Sequence, residues 1–249
     1  RAEATATLRS GIERFTFSGD EGHILFNAGM SVSTVPGAYI KKVSPTEVEG
    51  SKKIGNICGC GKESTVYFVA RVNKKPLKSG LWNKKEICNS TIVEAEGEDV
   101  GVYFTYNLKE GEQVEVQVGV SYVSMDNARL NLDAEQSGFR FDAVRNAAVG
   151  SWNRELSRIR LEGGTEKYKR MFYTALYHVL IHPNILNDVN GEYPSYISGE
   201  IRNSGKRNRY TVFSLWDTYR NVHQLLTLVY PERQIDMVRT MLDMYREHG

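Results

Sequence analysis

Every clear strand pattern in this chain lies before about residue 126, and every clear helical pattern lies after it. The segment QVEVQVGVSYV (113–123) is the sharpest case: Val114, Val116, Val118 and Val120 alternate with Glu115, Gln117 and Gly119. A period of two predicts one buried face and one wet face, as in an antiparallel sheet of a sandwich. STVYFVARV (64–72) and GVYFTYNL (101–108) are rich in β-branched and aromatic residues, and HILFNAGMSVS alternates in part. Polar or Gly-rich turns separate these runs, as an all-β domain requires.

The period then changes. Phe141, Val144, Ala148, Trp152, Leu156 and Ile159 fall at steps of three and four, one face of a long helix. Ser137-Gly138 and Asp142 are start signals, and Gly163-Gly164 closes the segment. Thr165 is placed to cap a helix running to about Ile181, with Phe172, Leu176, Val179 and Leu180 as its apolar set and Pro183 as its stop. A loop from 183 to 209 follows, then two helices split at Pro231, a residue suited to a first helical turn. Ile235, Val238, Leu242 and Tyr245 are expected to be the buried stripe of the last helix. Strands first and helices second means two domains or an α+β arrangement, and excludes a βαβ fold.

Several chemistries can be weighed from residue types alone. The formal net charge of +2 argues against a dedicated nucleic-acid binder. The basic group Lys206, Arg207 and Arg209 reads as a solvated loop. No apolar run reaches the length of a membrane span. Cys58, Cys60 and Cys88 are neither a disulfide framework nor a four-ligand zinc site; in an exported protein a Cys58–Cys88 or Cys60–Cys88 bridge has a place. The compartment is left unassigned, with a periplasmic or secreted location as the one weighed. His178 and His182 stand four apart on a helix without the intervening Glu of a metalloprotease motif, and read as packing or capping residues. Asp188 to Glu192 opens like a calcium loop but lacks the later ligands, so a turn at Asn190-Gly191 is the better reading.

The segment SLWDTYR brings Trp216, Asp217 and Arg220 to the mouth of a helix otherwise built from Leu225, Leu226, Leu228 and Val229. An indole face to stack on, a carboxylate acceptor and a fork of donors suit a sugar. A helical Asp–Arg pair beside a core Trp is the competing explanation.

SLWDTYR followed by PERQIDMVRTMLDMY resembles the glycoside hydrolase family 92 α-mannosidases. YVSMDNARLNLDAE (122–135), the run from FDAVRN to NGEY (141–193) and ATLRSGIERFTF (6–17) are similar to the same family in the same order. The resemblance implies a partial antiparallel β-sandwich over residues 1–132, a linker helix over 133–163, and the first helices of an (α/α)6 barrel over 164–249. It implies an inverting hydrolase that removes terminal α-linked mannose from glycans with the help of Ca2+. It also implies a substrate-binding role for Trp216, Asp217 and Arg220, with Asp217 foremost. The general acid, the base and the calcium ligands are expected beyond this stretch, so no catalytic residue and no metal ligand is assigned; Glu155 and Glu232 read as exposed helix positions. The start at RAEATATLRSGIERF and the stop after a helix at Gly249 suggest a piece of a longer polypeptide. Two alternatives remain. One is a carbohydrate-binding sandwich presenting Tyr103, Tyr106 and Trp82. The other is a different (α/α)-barrel glycosidase.

Overall fold

A computed structural model of the chain describes residues 1–31, 34–55, 63–84, 86–89, 91–196 and 198–248. Eleven strands come first: β1 (Ala2–Ala6), β2 (Ser10–Thr16), β3 (Glu21–Asn27), β4 (Gly37–Ser44), β5 (Glu47–Ile54), β6 (Ser64–Val72), β7 (Lys78–Asn83), β8 (Glu86–Ile87), β9 (Glu94–Gly97), β10 (Val100–Asn107) and β11 (Gln113–Ser121). Helices α1 (Met125–Glu135), α2 (Phe141–Leu156) and α3 (Glu166–Leu180) follow. Then come a small hairpin of β12 (Glu192–Pro194) and β13 (Ile201–Asn203), and helices α4 (Leu215–Thr218), α5 (Val222–Val229) and α6 (Pro231–His248). The chain divides into two compact units, 1–145 and 146–249.

In the first unit a seven-stranded sheet in the order β1-β2-β11-β6-β5-β4-β9 faces a four-stranded sheet in the order β3-β10-β7-β8. The described pairings are antiparallel. Ile40, Val48, Val114 and Val116 from the large sheet share one core with Ile24, Leu81, Val102 and Phe104 from the small one. This is the expected sandwich.

The second face of β11 departs from expectation. Gln117 and Ser121 are buried along with Val114 and Val116, while Val118 is half-buried and Val120 is 39% exposed. Helix α1 lies on that face, capped by Ser124, whose side chain accepts from Asn127 N at 3.0 Å. Gly119 makes the contact possible: a Cβ there would stand 2.4 Å from the Ala128 carbonyl oxygen. Gln117 is satisfied by donating to Gln136 Oε1 at 3.1 Å and to the Gly138 carbonyl at 2.8 Å. Arg129 pins the helix from its other side, donating to Glu47 at 2.9 Å and Glu49 at 2.7 Å. From Gln117 to Ser121 the odd positions of β11 are therefore covered by protein instead of water.

Of the three aromatics proposed as a platform for a binding module, one is withdrawn from the surface. Tyr106 is 1% exposed, since its even register on β10 points it into the core. Trp82 lies across Gly101 and Tyr103 across Gly80, where a Cβ would meet the rings at 2.0 and 2.8 Å. Each ring is half-buried on a cross-strand glycine. Cys88 is half-buried; Cys58 and Cys60, and with them either bridge, lie outside the described residues.

In the second unit α3 starts where Thr165 caps it, accepting from Tyr168 N. Leu176, Leu180, Tyr210, Leu226, Tyr230 and Met237 make its core, with Trp152, Leu156 and Ile159 packed against them. One expectation fails here, that of Arg209 as a solvated residue. The stripe Ile235, Val238, Leu242 and Tyr245 of α6 is exposed, and the helix buries Met237 and Thr240 instead. Arg209 is not in a solvated loop but fully buried. Its guanidinium donates to the Thr240 carbonyl at 3.1 Å, stands 3.6 Å from the Glu247 carboxylate and lies 4.9 Å from the Tyr193 ring centroid. Tyr210 N donates to Thr240 Oγ1 at 3.2 Å. A buried charge needs its partners near, and the segment carrying Arg209 finds them on the polar side of α6. Lys206 is exposed as expected, while Arg207 pairs with Asp243 at 2.5 Å.

Candidate functional site

The SLWDTYR segment is delivered by the strand-like stretch before it. Leu186 N donates to the Arg209 carbonyl at 2.6 Å and Thr211 N to the Asn184 carbonyl at 2.9 Å. Phe213 then enters the helical core. The chain leaves that core at Ser214 and forms the single turn α4. Asn221, at φ 71°, reverses the backbone in the left-handed region, which Asn tolerates better than most residues. Only then does α5 begin. Trp216, Asp217 and Arg220 thus sit on and after a separate turn, not at the mouth of the leucine-rich helix itself.

All three side chains are exposed, Trp216 by 88%. The burial cost that would have justified a special role is absent here. The indole is instead offered to solvent. Asp217 accepts from the Ser214 hydroxyl, a contact of a helix start, and Asp217 N donates to the Ser214 carbonyl at 3.0 Å. Arg220 Nε donates to the Tyr219 hydroxyl at 2.9 Å, its guanidinium carbon 5.4 Å from that ring's centroid. Among the described residues, Asp217 and Arg220 form no ion pair with each other. The helical Asp–Arg pair is therefore not what holds them, and each keeps capacity for another partner.

Thr218 is the best-supported residue of the turn. Its hydroxyl donates to the Ser214 carbonyl at 3.2 Å and lies 2.9 Å from His223 Nε2. His223 Nδ1 is 3.2 Å from Gln234 Oε1 on α6. None of these supports stands out in the sequence; only the Ser-x-x-Asp spacing of a helix start could have pointed to Ser214.

The other titratable groups fall into structural roles. Arg158 reaches Glu155 at 3.2 Å and Glu232 at 2.5 Å, donates to the Val229 carbonyl at 3.1 Å and sits over the Tyr230 ring at 4.8 Å. Burial raises the Glu232 pKa, but its own backbone N–H at the helix start and Arg158 outweigh this and hold it below the ordinary range. A carboxyl held ionised in this way is poorly suited to be a general acid. Asn190-Gly191 forms the turn into β12, with Gly191 N donating to the Asp188 carbonyl at 2.9 Å. His178 and His182 are exposed, and among the described residues no three His, Cys, Asp or Glu side chains gather as a metal site.

Two family descriptions match the sequence: the glycosyl hydrolase family 92 N-terminal domain over residues 1–121, and the glycosyl hydrolase family 92 catalytic domain over residues 127–249. No curated protein matches it. Among solved structures, a family GH92 alpha-mannosidase from Bacteroides thetaiotaomicron is similar at a TM-score of 0.88 and 30% identity, covering 98% of this chain and 33% of that one. The same protein in complex with mannoimidazole is similar at 0.87 and 30%, over 98% and 32%. An inverting mannosidase of family GH92 from Bacteroides thetaiotaomicron VPI-5482 matches at 0.88 with 24% identity, over 99% and 33%, a likeness of fold alone. The chain thus spans about a third of the length of these structures. Between them the two family matches leave only residues 122–126 uncovered, and the chain belongs to glycosyl hydrolase family 92.

Proposed function

We propose that this chain is part of an α-mannosidase that removes terminal α-linked mannose from glycans, and that the α4 turn contributes to its sugar site. The carrying observation is that Trp216, Asp217 and Arg220 stand exposed and unpaired with one another inside the span matched by the catalytic-domain description. The indole supplies an apolar face, the carboxylate accepts from hydroxyls and the guanidinium donates to them. Asp217, braced by Ser214, is the principal contact, with Trp216 and Arg220 beside it. Family membership favours inversion. That chemistry needs an acid and a base roughly 6.5–9.5 Å apart with a water between them. No pair is assigned here, because Glu155 and Glu232 are both tied to Arg158. The helices from residue 164 onward are proposed as the opening of an (α/α)6 barrel, after a 133–163 linker and a 1–132 sandwich.

Calcium assistance is proposed for the full-length enzyme on family grounds. Among the described residues no three His, Cys, Asp or Glu side chains gather to hold it, so no step is derived through the ion.

The test is hydrolysis of aryl α-mannosides against aryl glucosides by the full-length polypeptide and its Asp217→Asn variant, before and after chelation. The expected result is turnover of the mannoside, loss on chelation and recovery with calcium. Losing a charged acceptor should lower kcat/KM by an amount worth about 1.5–3 kcal/mol with little change in stability. Glucoside preference would move the chain to another glycosidase specificity. A kcat/KM for Asp217→Asn within about threefold of the parent would remove Asp217 from the site.

A further inference from the structure

We infer that His223 is a positioning residue for the Asp217 turn, an inference that rests on the sugar-site reading above. A four-residue turn has too few internal hydrogen bonds to hold its own orientation. What holds α4 is a line of polar contacts running away from it. Gln234 Oε1 on α6 meets His223 Nδ1 at 3.2 Å, and His223 Nε2 on α5 meets Thr218 Oγ1 at 2.9 Å. Thr218 Oγ1 meets the Ser214 carbonyl at 3.2 Å, and the Ser214 hydroxyl reaches Asp217. The imidazole is half-buried while the residues it serves are exposed, so the rigid end of the line lies inside and the working end outside.

The reversal at Asn221 makes this geometry possible. Its left-handed backbone turns the chain back within three residues, so that His223 comes under Thr218, five positions earlier. A β-branched residue at 221 would oppose that conformation. The consequence is functional. Asp217 and Trp216 are carried on a solvent-facing turn, yet their orientation is referred to α6, the longest helix of the unit. The ordering is present before a sugar arrives, which lowers the cost of binding.

The experiment compares His223→Phe, His223→Gln, Thr218→Ala, the His223→Phe/Thr218→Ala double variant and Asp217→Asn in the full-length polypeptide. KM and kcat for an aryl α-mannoside, amide exchange of residues 215–219 and thermal midpoints are read together. Each of His223→Phe and Thr218→Ala should raise KM about fivefold or more while changing kcat less than about threefold. Both should speed exchange in 215–219 about tenfold, with the exchange of α6 unchanged. The double variant should be little worse than the worse single one, because both act through one contact. His223→Gln, which keeps a polar tip, should recover part of the loss. Effects that multiply in the double variant, or unchanged exchange in 215–219, would overturn the inference while leaving Asp217's role to its own variant. Faster exchange there alongside an Asp217→Asn variant of unchanged KM would retire the sugar role of the turn, and with it the positioning role. Faster exchange throughout the unit with a matching fall in kcat would mark His223 as purely structural.

Discussion

The two units of this chain satisfy their apolar residues in different ways. In the sandwich, Ile12, Ile40, Val48, Leu81, Val102 and Phe104 are fully buried, and the large sheet is covered on both faces where α1 lies on β11. In the helical unit, Leu228 of α5, Tyr168 of α3 and the Ile235–Tyr245 stripe of α6 remain exposed, while a charged side chain, Arg209, sits at the centre of the buried side. The sandwich is ordered by apolar complementarity with polar pins at its margin. The helical unit is ordered as much by buried polar contacts as by its core.

The widest contrast is expected from truncating Phe104. Its ring meets Phe26 edge-on at 5.6 Å and has no exposed surface. Phe104→Ala should cost about 3–5 kcal/mol, read from amide exchange of β10. A loss below about 1 kcal/mol would mean that the two sheets close over the gap. Next comes Arg209→Ala, which removes the guanidinium beside Glu247 and should cost about 3 kcal/mol in the helical unit. Arg209→Met, which keeps volume without charge, tests whether the charge or the packing matters. Should the Met variant match the parent, the polar account of this unit fails.

A smaller effect should appear on acidification. Burial raises the Glu47 pKa, but hydrogen bonds from Arg71 and Arg129 outweigh this and hold it below the usual carboxylate value. A carboxyl lowered on folding adds stability that is present above its unfolded pKa, about 4.3, and is lost as pH falls through the lower folded value. The sandwich should therefore weaken below about pH 4, and Glu47→Gln should flatten that slope while lowering stability at neutral pH. Parallel acid curves for the two proteins would place the acid sensitivity elsewhere. The smallest effect is Leu242→Ser in the 249-residue chain, expected within about 0.5 kcal/mol of the parent because the side chain already faces solvent. A larger loss would show that the exposed stripe is used.

Much of this arrangement could be read in the sequence, and the limits have physical causes. The valines of β11 announce a strand because alternation is a local property. Thr165 and Pro231 announce helix starts for the same reason. Helix α1 had no comparable signal: Ala128 and Leu132 are its apolar contacts, and Asn127 and Asn131 are buried with them. Asn131 donates to the Val120 carbonyl at 2.8 Å, a contact whose partner lies eleven residues away. The apolar stripe of α6 could be read from its period, but the burial of Met237 and Thr240 on the side met by Arg209 could not, because that contact joins segments distant in sequence. At the candidate site, the exposed residues of SLWDTYR could be named from sequence. Their supports, His223 and Gln234, could not, since a hydrogen-bond relay between helices has no period.

The covering of β11 by α1 has a consequence for which replacements this strand can accept. Its even positions need only oily volume, so Val114 and Val116 should exchange freely among aliphatic residues of similar size. Its odd positions obey a different alphabet. Position 117 calls for an amide that can give two protons, and position 119 admits nothing larger than hydrogen. A saturation scan of this one strand would thus return two vocabularies, one broad and tolerant at 114 and 116, the other nearly a single letter at 117 and at 119.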